Sequence, residues 1–245
     1  MIVLSVANRK GGVGKTTLAL ALATRLAERE RVLLVDLDSQ ANATESLNIP
    51  LAPEVSKWLQ FGEMPRLASR GQLDVIAGDD RTRFAELALG QLGVRVLEQL
   101  VKPLTQYGWV ILDCPPSISA VTRNAVYAAD YVLCPTIPEY LSVAGVRQLV
   151  KLIDEMREAG ASTQLMAIQP NKTDWRTNEH KIHLRSLIRA FGAWEDGGLV
   201  WPALRQSIAV AEASAEGRPI WETLRGKAAI EWGNVVERVR RYGKA

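Results

Sequence analysis

Short runs of apolar, often β-branched residues alternate along this chain with longer segments whose apolar positions recur every three or four residues. The short runs lie at 2–7, 32–36, 73–77, 109–113, 131–135 and 164–169. Each is bounded by turn-forming or polar residues, and each predicts a strand. The longer segments, at 16–29, 94–102, 119–128, 142–159, 177–191 and 228–242, predict amphipathic helices. Strands that read as unbroken apolar runs need cover on both faces, and a mostly parallel sheet with helices on either side provides it. The expected fold is therefore α/β and doubly wound. No shift of composition divides residues 1–245, so a single domain is expected, with 50–71 its least regular segment.

In sheets of this kind ligands bind beyond the carboxyl ends of the strands, which points to the loops after Ala7, Asp36 and Asp113. The first loop reads Asn8-Arg9-Lys10-Gly11-Gly12-Val13-Gly14-Lys15-Thr16-Thr17, between a predicted strand and a predicted helix. Its glycines let successive backbone N–H groups of Gly11, Gly12, Val13 and Gly14 turn toward phosphate oxygens, and the helix N-terminus adds partial positive charge. Lys15 is placed to reach the β- and γ-phosphates of ATP, Thr16 to present its hydroxyl to Mg²⁺, and Thr17 to touch the α-phosphate. A glycine-rich turn with two surface lysines is the plainer alternative, but it does not account for strand, loop and helix in that order.

The standard phosphate loop has glycine six residues before its lysine, where this chain has Arg9, followed by a second lysine at Lys10. Residues 10–17 resemble the deviant Walker A box of the ParA/MinD family, a P-loop NTPase-like group. The resemblance implies that Lys10 crosses an ATP-dependent homodimer to the partner's nucleotide. Asp36-Leu37-Asp38-Ser39-Gln40 is similar to the family's Asp-x-Asp-Pro-Gln, with Ser39 in place of proline. By that resemblance Asp38 orients the attacking water and Asp36 supports the water shell of Mg²⁺. The strand ending Ile111-Leu112-Asp113, followed by Cys114-Pro115-Pro116-Ser117, resembles the family's Walker B strand and its switch. Asp113 is then expected to hold Mg²⁺ through water, since that ion keeps much of its hydration. Phosphoryl transfer needs positioning and charge neutralisation more than covalent chemistry, so a lysine, a hydroxyl, Mg²⁺ and one water-orienting acid suffice; with the role that the resemblance gives Lys10, the expected catalytic residues are Lys10, Lys15 and Asp38.

Two further stretches bear on the base. Pro170-Asn171-Lys172-Thr173 is similar to the family element that contacts adenine, which makes Asn171 the first expected base contact. Residues 204–220 resemble the family's Ile-Pro-x-Asn…Glu-Ala-x-x-x-Gly-Lys-Pro stretch, but Arg205 stands at the proline and Ser207 at the asparagine. Backbone contacts near Gln206 are what remains to expect there.

Composition changes this picture in three places. With 47% hydrophobic and 23% charged residues, the 245-residue chain can bury one sizeable core. Two cysteines, Cys114 and Cys134, form no metal-binding pattern and suit a reducing cytoplasm, which weighs against an iron–sulfur reductase on the same scaffold. The N-terminal run carries no basic leader, and no stretch approaches a membrane span, so a cytoplasmic, nucleoid-associated protein is expected. The net charge of +3 is uneven, because residues 172–245 hold 13 Lys+Arg against 9 Asp+Glu. A polyanionic partner is the reading that this excess favours.

Within the family, the preferred reading is a Mg-ATP-dependent partition ATPase whose dimer binds duplex DNA without sequence preference and works with a ParB-like centromere-binding protein. Arg185, Arg189, Arg218, Arg225 and Arg238 are the expected DNA contacts. Two alternatives are positioning of a protein cargo on the nucleoid and a MinD-like membrane-associated ATPase. The apolar stripe Trp232, Val235, Val236, Val239 and Tyr242 is expected to pack on the domain, with few of the large aliphatic residues that a membrane anchor uses.

Overall fold

The computed structural model describes residues 1–216 and 218–243. Seven strands run in chain order as β1 (Ile2–Val6), β2 (Val32–Asp36), β3 (Leu67–Arg70), β4 (Leu73–Ile76), β5 (Trp109–Asp113), β6 (Tyr131–Thr136) and β7 (Gln164–Pro170). They form one sheet in the order β3-β4-β2-β5-β1-β6-β7, parallel throughout except for the β3–β4 pair. The helices are α1 (Lys15–Leu26), α2 (Asn42–Ser46), α3 (Glu54–Phe61), α4 (Thr82–Leu92), α5 (Val96–Val101), α6 (Ala120–Ala128), α7 (Ser142–Glu158), α8 (Asn178–Phe191), α9 (Ile208–Ala215), α10 (Ile220–Thr223) and α11 (Gly226–Tyr242).

The alternation of side chains along each strand sorts the core into two layers. Val3, Leu33, Val35, Val110, Leu112, Val132 and Cys134 face one side, where α3 to α8 pack on them. Leu4, Val6, Leu34, Ile111 and Leu133 face the other, against α1, α9, α10 and α11. The sheet is thus doubly wound, as its apolar runs predict. On α1, Leu18, Leu22 and Leu26 are fully buried, and each contributes about 1.5–3 kcal/mol of transfer free energy.

All six predicted strands are present with ends shifted by one residue at most. The hairpin strand β3 is an addition inside the segment read as irregular. Its Leu-Ala-Ser-Arg is half-buried over two residues and exposed over the next two, too little pattern to read as a strand. Helices α2, α3, α4, α9 and α10 were not predicted either. Four of the five are eight residues or fewer, short enough for tertiary packing to outweigh local periodicity.

The C-terminal stripe packs on the domain as expected. Trp232, Val235, Val236 and Val239 are buried, Arg240 donates to the Arg25 carbonyl at 2.8 Å, and Tyr242 sits edge-on to Tyr131. That face of α11 is consumed by the fold. Among the described residues no helix is long and apolar enough to cross a membrane.

Candidate nucleotide site

At the carboxyl end of β1 the chain turns through Gly12 (φ +73°) and Gly14 (φ +92°) into α1. Gly14 takes the N-cap position in the left-handed conformation, and no side chain caps the helix. The first N–H groups of α1 are therefore left to a ligand. Glycine is required twice over at position 14, since a Cβ there would lie 2.1 Å from Asn171 Nδ2. Asn171 donates that Nδ2 to the Val13 carbonyl (2.9 Å) and accepts from the Lys172 amide (2.9 Å). The residue expected to contact the base thus braces the phosphate loop from β7.

A cavity of about 360 Å³ opens over this loop, lined by Gly11, Gly12, Gly14, Lys15, Thr16, Thr17, Asp38 and Lys172 among others. Lys15 is buried there, its Nζ within 3.3 Å of the Lys10 carbonyl. Burial lowers its pKa, and the charge of Asp113 opposes that shift. Lys10 points elsewhere and forms an ion pair with Glu139, both side chains well exposed. Exposed pairs are worth at most about 1 kcal/mol, so this one holds Lys10 only loosely.

The three aspartates differ in surroundings. Asp113 is fully buried, and neither of its carboxylate oxygens has a hydrogen-bond partner. Burial first, then the charge of Asp36, push its pKa well above the usual carboxylate range, against the pull of the Thr16 side chain and Lys15. Asp36 is committed to the loop: Oδ2 accepts from Thr44 N (2.9 Å) and Thr44 Oγ1 (2.7 Å), and Oδ1 accepts from Asp38 N (3.3 Å). Thr44 Oγ1 lies 2.7 Å from the Gly78 amide, and a Cβ on Gly78 would meet Asp36 at 2.8 Å. The oxygens of Asp36, the residue expected to support the Mg²⁺ water shell, also hold α2 and the loop after β2. Burial pushes its pKa up to about 6. Asp38 lines the cavity and accepts from the Gln40 amide at 3.0 Å.

A hydrated Mg²⁺ fits this donor set. Asp113 offers two unpartnered buried oxygens, and Thr16 opens the helix beside it; hard oxygen donors suit the ion. Without it, the buried carboxylates are a cost that grows with pH. Their folded pKa values exceed the unfolded 3.8, so the contribution of these two groups to stability is most favourable below about pH 4 and is lost as pH rises through about 6 for Asp36 and higher for Asp113. Asp113→Asn is therefore expected to raise the melting temperature of the nucleotide-free protein at pH 8, by roughly 2–4 °C for each kcal/mol relieved, with a smaller gain at pH 5. Thermal melts at the two pH values check this; a lower melting temperature at both would contradict it.

A second cavity of about 300 Å³ adjoins the first, since Thr17 and Lys172 line both. Its other walls include Asn171, Arg205, Gln206, Ile208 and Trp232. Gln206, where backbone contacts are expected, lines this cavity, and its amide donates to Thr173 O (3.0 Å). Sequence reading passed over Lys172, whose Nζ donates to Gly12 O (2.8 Å) and whose φ of +50° aims it at the phosphate loop. Its position directly after Asn171 was the available signal.

The five arginines expected at DNA are not gathered into one patch. Arg185 and Arg189 extend exposed from α8, on one side of the sheet, and make no ion pair among the described residues. Arg218 pairs with Glu216, and Arg225 donates to the Leu224 carbonyl at 2.8 Å. Arg238 lies half-buried over the Trp201 ring, which lowers its availability to a polyanion.

The family model described as an AAA domain matches residues 1–167. The chromosome partitioning protein ParA of Caulobacter vibrioides is 32% identical over 233 residues, which cover 89% of this chain and 85% of that protein. The chromosome-partitioning ATPase Soj of Thermus thermophilus is 34% identical over 221 residues, 89% of this chain and 86% of its own. Among solved structures, apo McdA from Cyanothece superposes with a TM-score of 0.89 at 21% identity, covering 98% of this chain and 99% of the other, a likeness of fold. Cobyrinic acid a,c-diamide synthase from Mycobacterium smegmatis, bound to an ATP analog and magnesium, superposes at 0.84 with 26% identity over 100% of this chain and 96% of its own.

Proposed function

The chain belongs to the ParA family of partition ATPases, and on that footing we propose that it hydrolyses Mg-ATP as a nucleotide-dependent homodimer that binds duplex DNA without sequence preference. The carrying observation is the conjunction of a glycine-lined phosphate cavity, buried Lys15, unpartnered Asp113, and Lys10 standing exposed at the rim.

Lys15 offsets the β- and γ-phosphate charge in a desolvated setting, where one ammonium counts for more than in water. The amides of 11–16 would cradle the phosphate oxygens, and Thr16 and Asp113 would hold a hydrated Mg²⁺, which would supply charge neutralisation at the transferring group. Asp38, on the loop fixed by Asp36 and Thr44, orients the attacking water. Lys10 leaves Glu139 and reaches the nucleotide of the second subunit. Its present pairing is weak enough for the stronger phosphate interaction to displace it.

Hydrolysis returns the dimer to monomers, and a ParB-like centromere-binding protein is the proposed partner that speeds this step, in a cytoplasmic, nucleoid-associated cycle. For DNA the free guanidinium groups of Arg185 and Arg189 are the foremost contacts, with Arg218, Arg225 and Arg238 secondary because their charge is partly engaged. With about six phosphate contacts per dimer, log affinity falls with log salt at a slope near −5. Gel shifts with ATP, ADP and no nucleotide across a salt series test the reading. The expected result is binding that needs ATP and weakens with salt; equal binding in ADP, or none in ATP at low salt, overturns it.

A further inference from the structure

Arg205 and Glu231 form a two-part clamp at the wall of the second cavity. Glu231 Oε1 accepts from Arg205 Nε (2.9 Å) and Nη2 (2.5 Å), and Oε2 accepts from the Arg205 backbone amide (3.1 Å). One carboxylate thus holds both the side chain and the main chain of the residue that begins the pocket wall. Both partners are partly shielded, with side-chain exposures of 35% and 23%. Charge-assisted bonds in such a fork are stronger and more directional than a solvated pair.

The segment held in this way has few other ties. Leu204 N donates to Pro170 O (2.8 Å) and Thr173 N to Leu204 O (2.9 Å) on the way in, and Gln206 N donates to Thr173 O (3.0 Å). Beyond that, Ser207 enters α9 without a side-chain cap. The next residue of α11, Trp232, lines the same cavity. The wall at Gln206, Ser207 and Ile208 is therefore held from two sides, by backbone bonds to 170–173 and by a helix none of whose residues lines the cavity over the phosphate loop.

We infer that Glu231 is a positioning residue for base selection, fixing through Arg205 the wall against which the base edge is read. This rests on the proposed reading that the second cavity takes the adenine of ATP. The separation of the cavities gives the inference its signature. Weakening the clamp lowers discrimination between bases and leaves the triphosphate contacts of Lys15, Thr16 and Thr17 in place.

Calorimetric titration of the full chain with Mg²⁺ and ATP, GTP or inorganic tripolyphosphate provides the test. Wild type is expected to prefer ATP over GTP. Glu231→Gln, which loses the charge and keeps the shape, is expected to shrink that preference at least about fivefold, the equivalent of one charge-assisted bond weakened. Tripolyphosphate affinity should stay within about twofold, since no phosphate contact is altered. Arg205→Lys, which keeps the charge but not the fork, should give an intermediate preference, and it carries the test alone if Glu231→Gln fails to fold. An unchanged ATP-to-GTP ratio in a folded variant overturns the inference, as does a parallel loss of tripolyphosphate binding. A wild type that binds tripolyphosphate and ATP alike, with no base preference, overturns the adenine reading itself and the inference with it.

Discussion

Lys15→Ala is expected to weaken Mg-ATP binding by at least about a hundredfold, because two to three kcal/mol of charge-assisted contact vanish with the ammonium. The structure makes this lysine hard to replace. It is buried beneath the glycine loop, with one long contact to the Lys10 carbonyl and its charge facing the carboxylate of Asp113. Neither Lys10 nor Lys172 occupies its place: Lys10 lies exposed beside Glu139 and is assigned to the partner's nucleotide, and Lys172 is engaged with the Gly12 carbonyl. Calorimetry with a non-hydrolysable ATP analogue measures the loss directly, and an affinity within twofold of wild type would remove Lys15 from the phosphate site.

For Asp38→Ala the expectation is the opposite division: ATP still binds, and hydrolysis slows by about a hundredfold or more, the usual span for loss of a group that orients or deprotonates the attacking water. Asp36 cannot substitute, since its oxygens are occupied by Thr44 and the Asp38 amide. The variant should accumulate as an ATP-bound dimer, seen by light scattering as a mass doubling that persists. Normal turnover, or a failure to dimerise with ATP, would take Asp38 out of this role. The loop here has Ser39 where the family pattern has proline, yet Ala41 at φ +51° and the Ala41 N to Asp38 O bond (2.9 Å) still close a tight turn. Its shape is held by hydrogen bonds in place of a ring.

Much of this is legible in the sequence. The strands are buried on both faces, so their apolar runs are continuous, and the phosphate loop is a local motif whose chemistry lies in ten consecutive residues. What escaped reading is tertiary in origin. Nothing near Asp36 in sequence shows that Thr44 and Gly78 enclose it. Nor does the sequence show that Asn171, which lines the second cavity, also braces Val13 across 158 residues. The base wall is the least readable part, since Arg205 departs from the family pattern and its partner Glu231 lies on a helix whose pattern shows an apolar stripe and a candidate DNA contact, Arg238, but no link to Arg205. Strand β3 was missed for a plainer reason: a four-residue edge strand has almost no periodicity to find.

The order of strands also sets a timetable for synthesis. β1 is the first strand made, yet its neighbours in the sheet are β5 and β6, and Ile2 pairs with Trp109. At roughly 5–20 residues per second, β1 and the apolar face of α1 wait about 5–20 seconds for a partner strand. The nascent segment that carries the phosphate loop is thus sticky until β5 has been made, and acquires its shape only then. Chaperone binding at the ribosome should therefore concentrate on chains shorter than β5, and a stall placed just before β5 should favour aggregation more than one placed after β6.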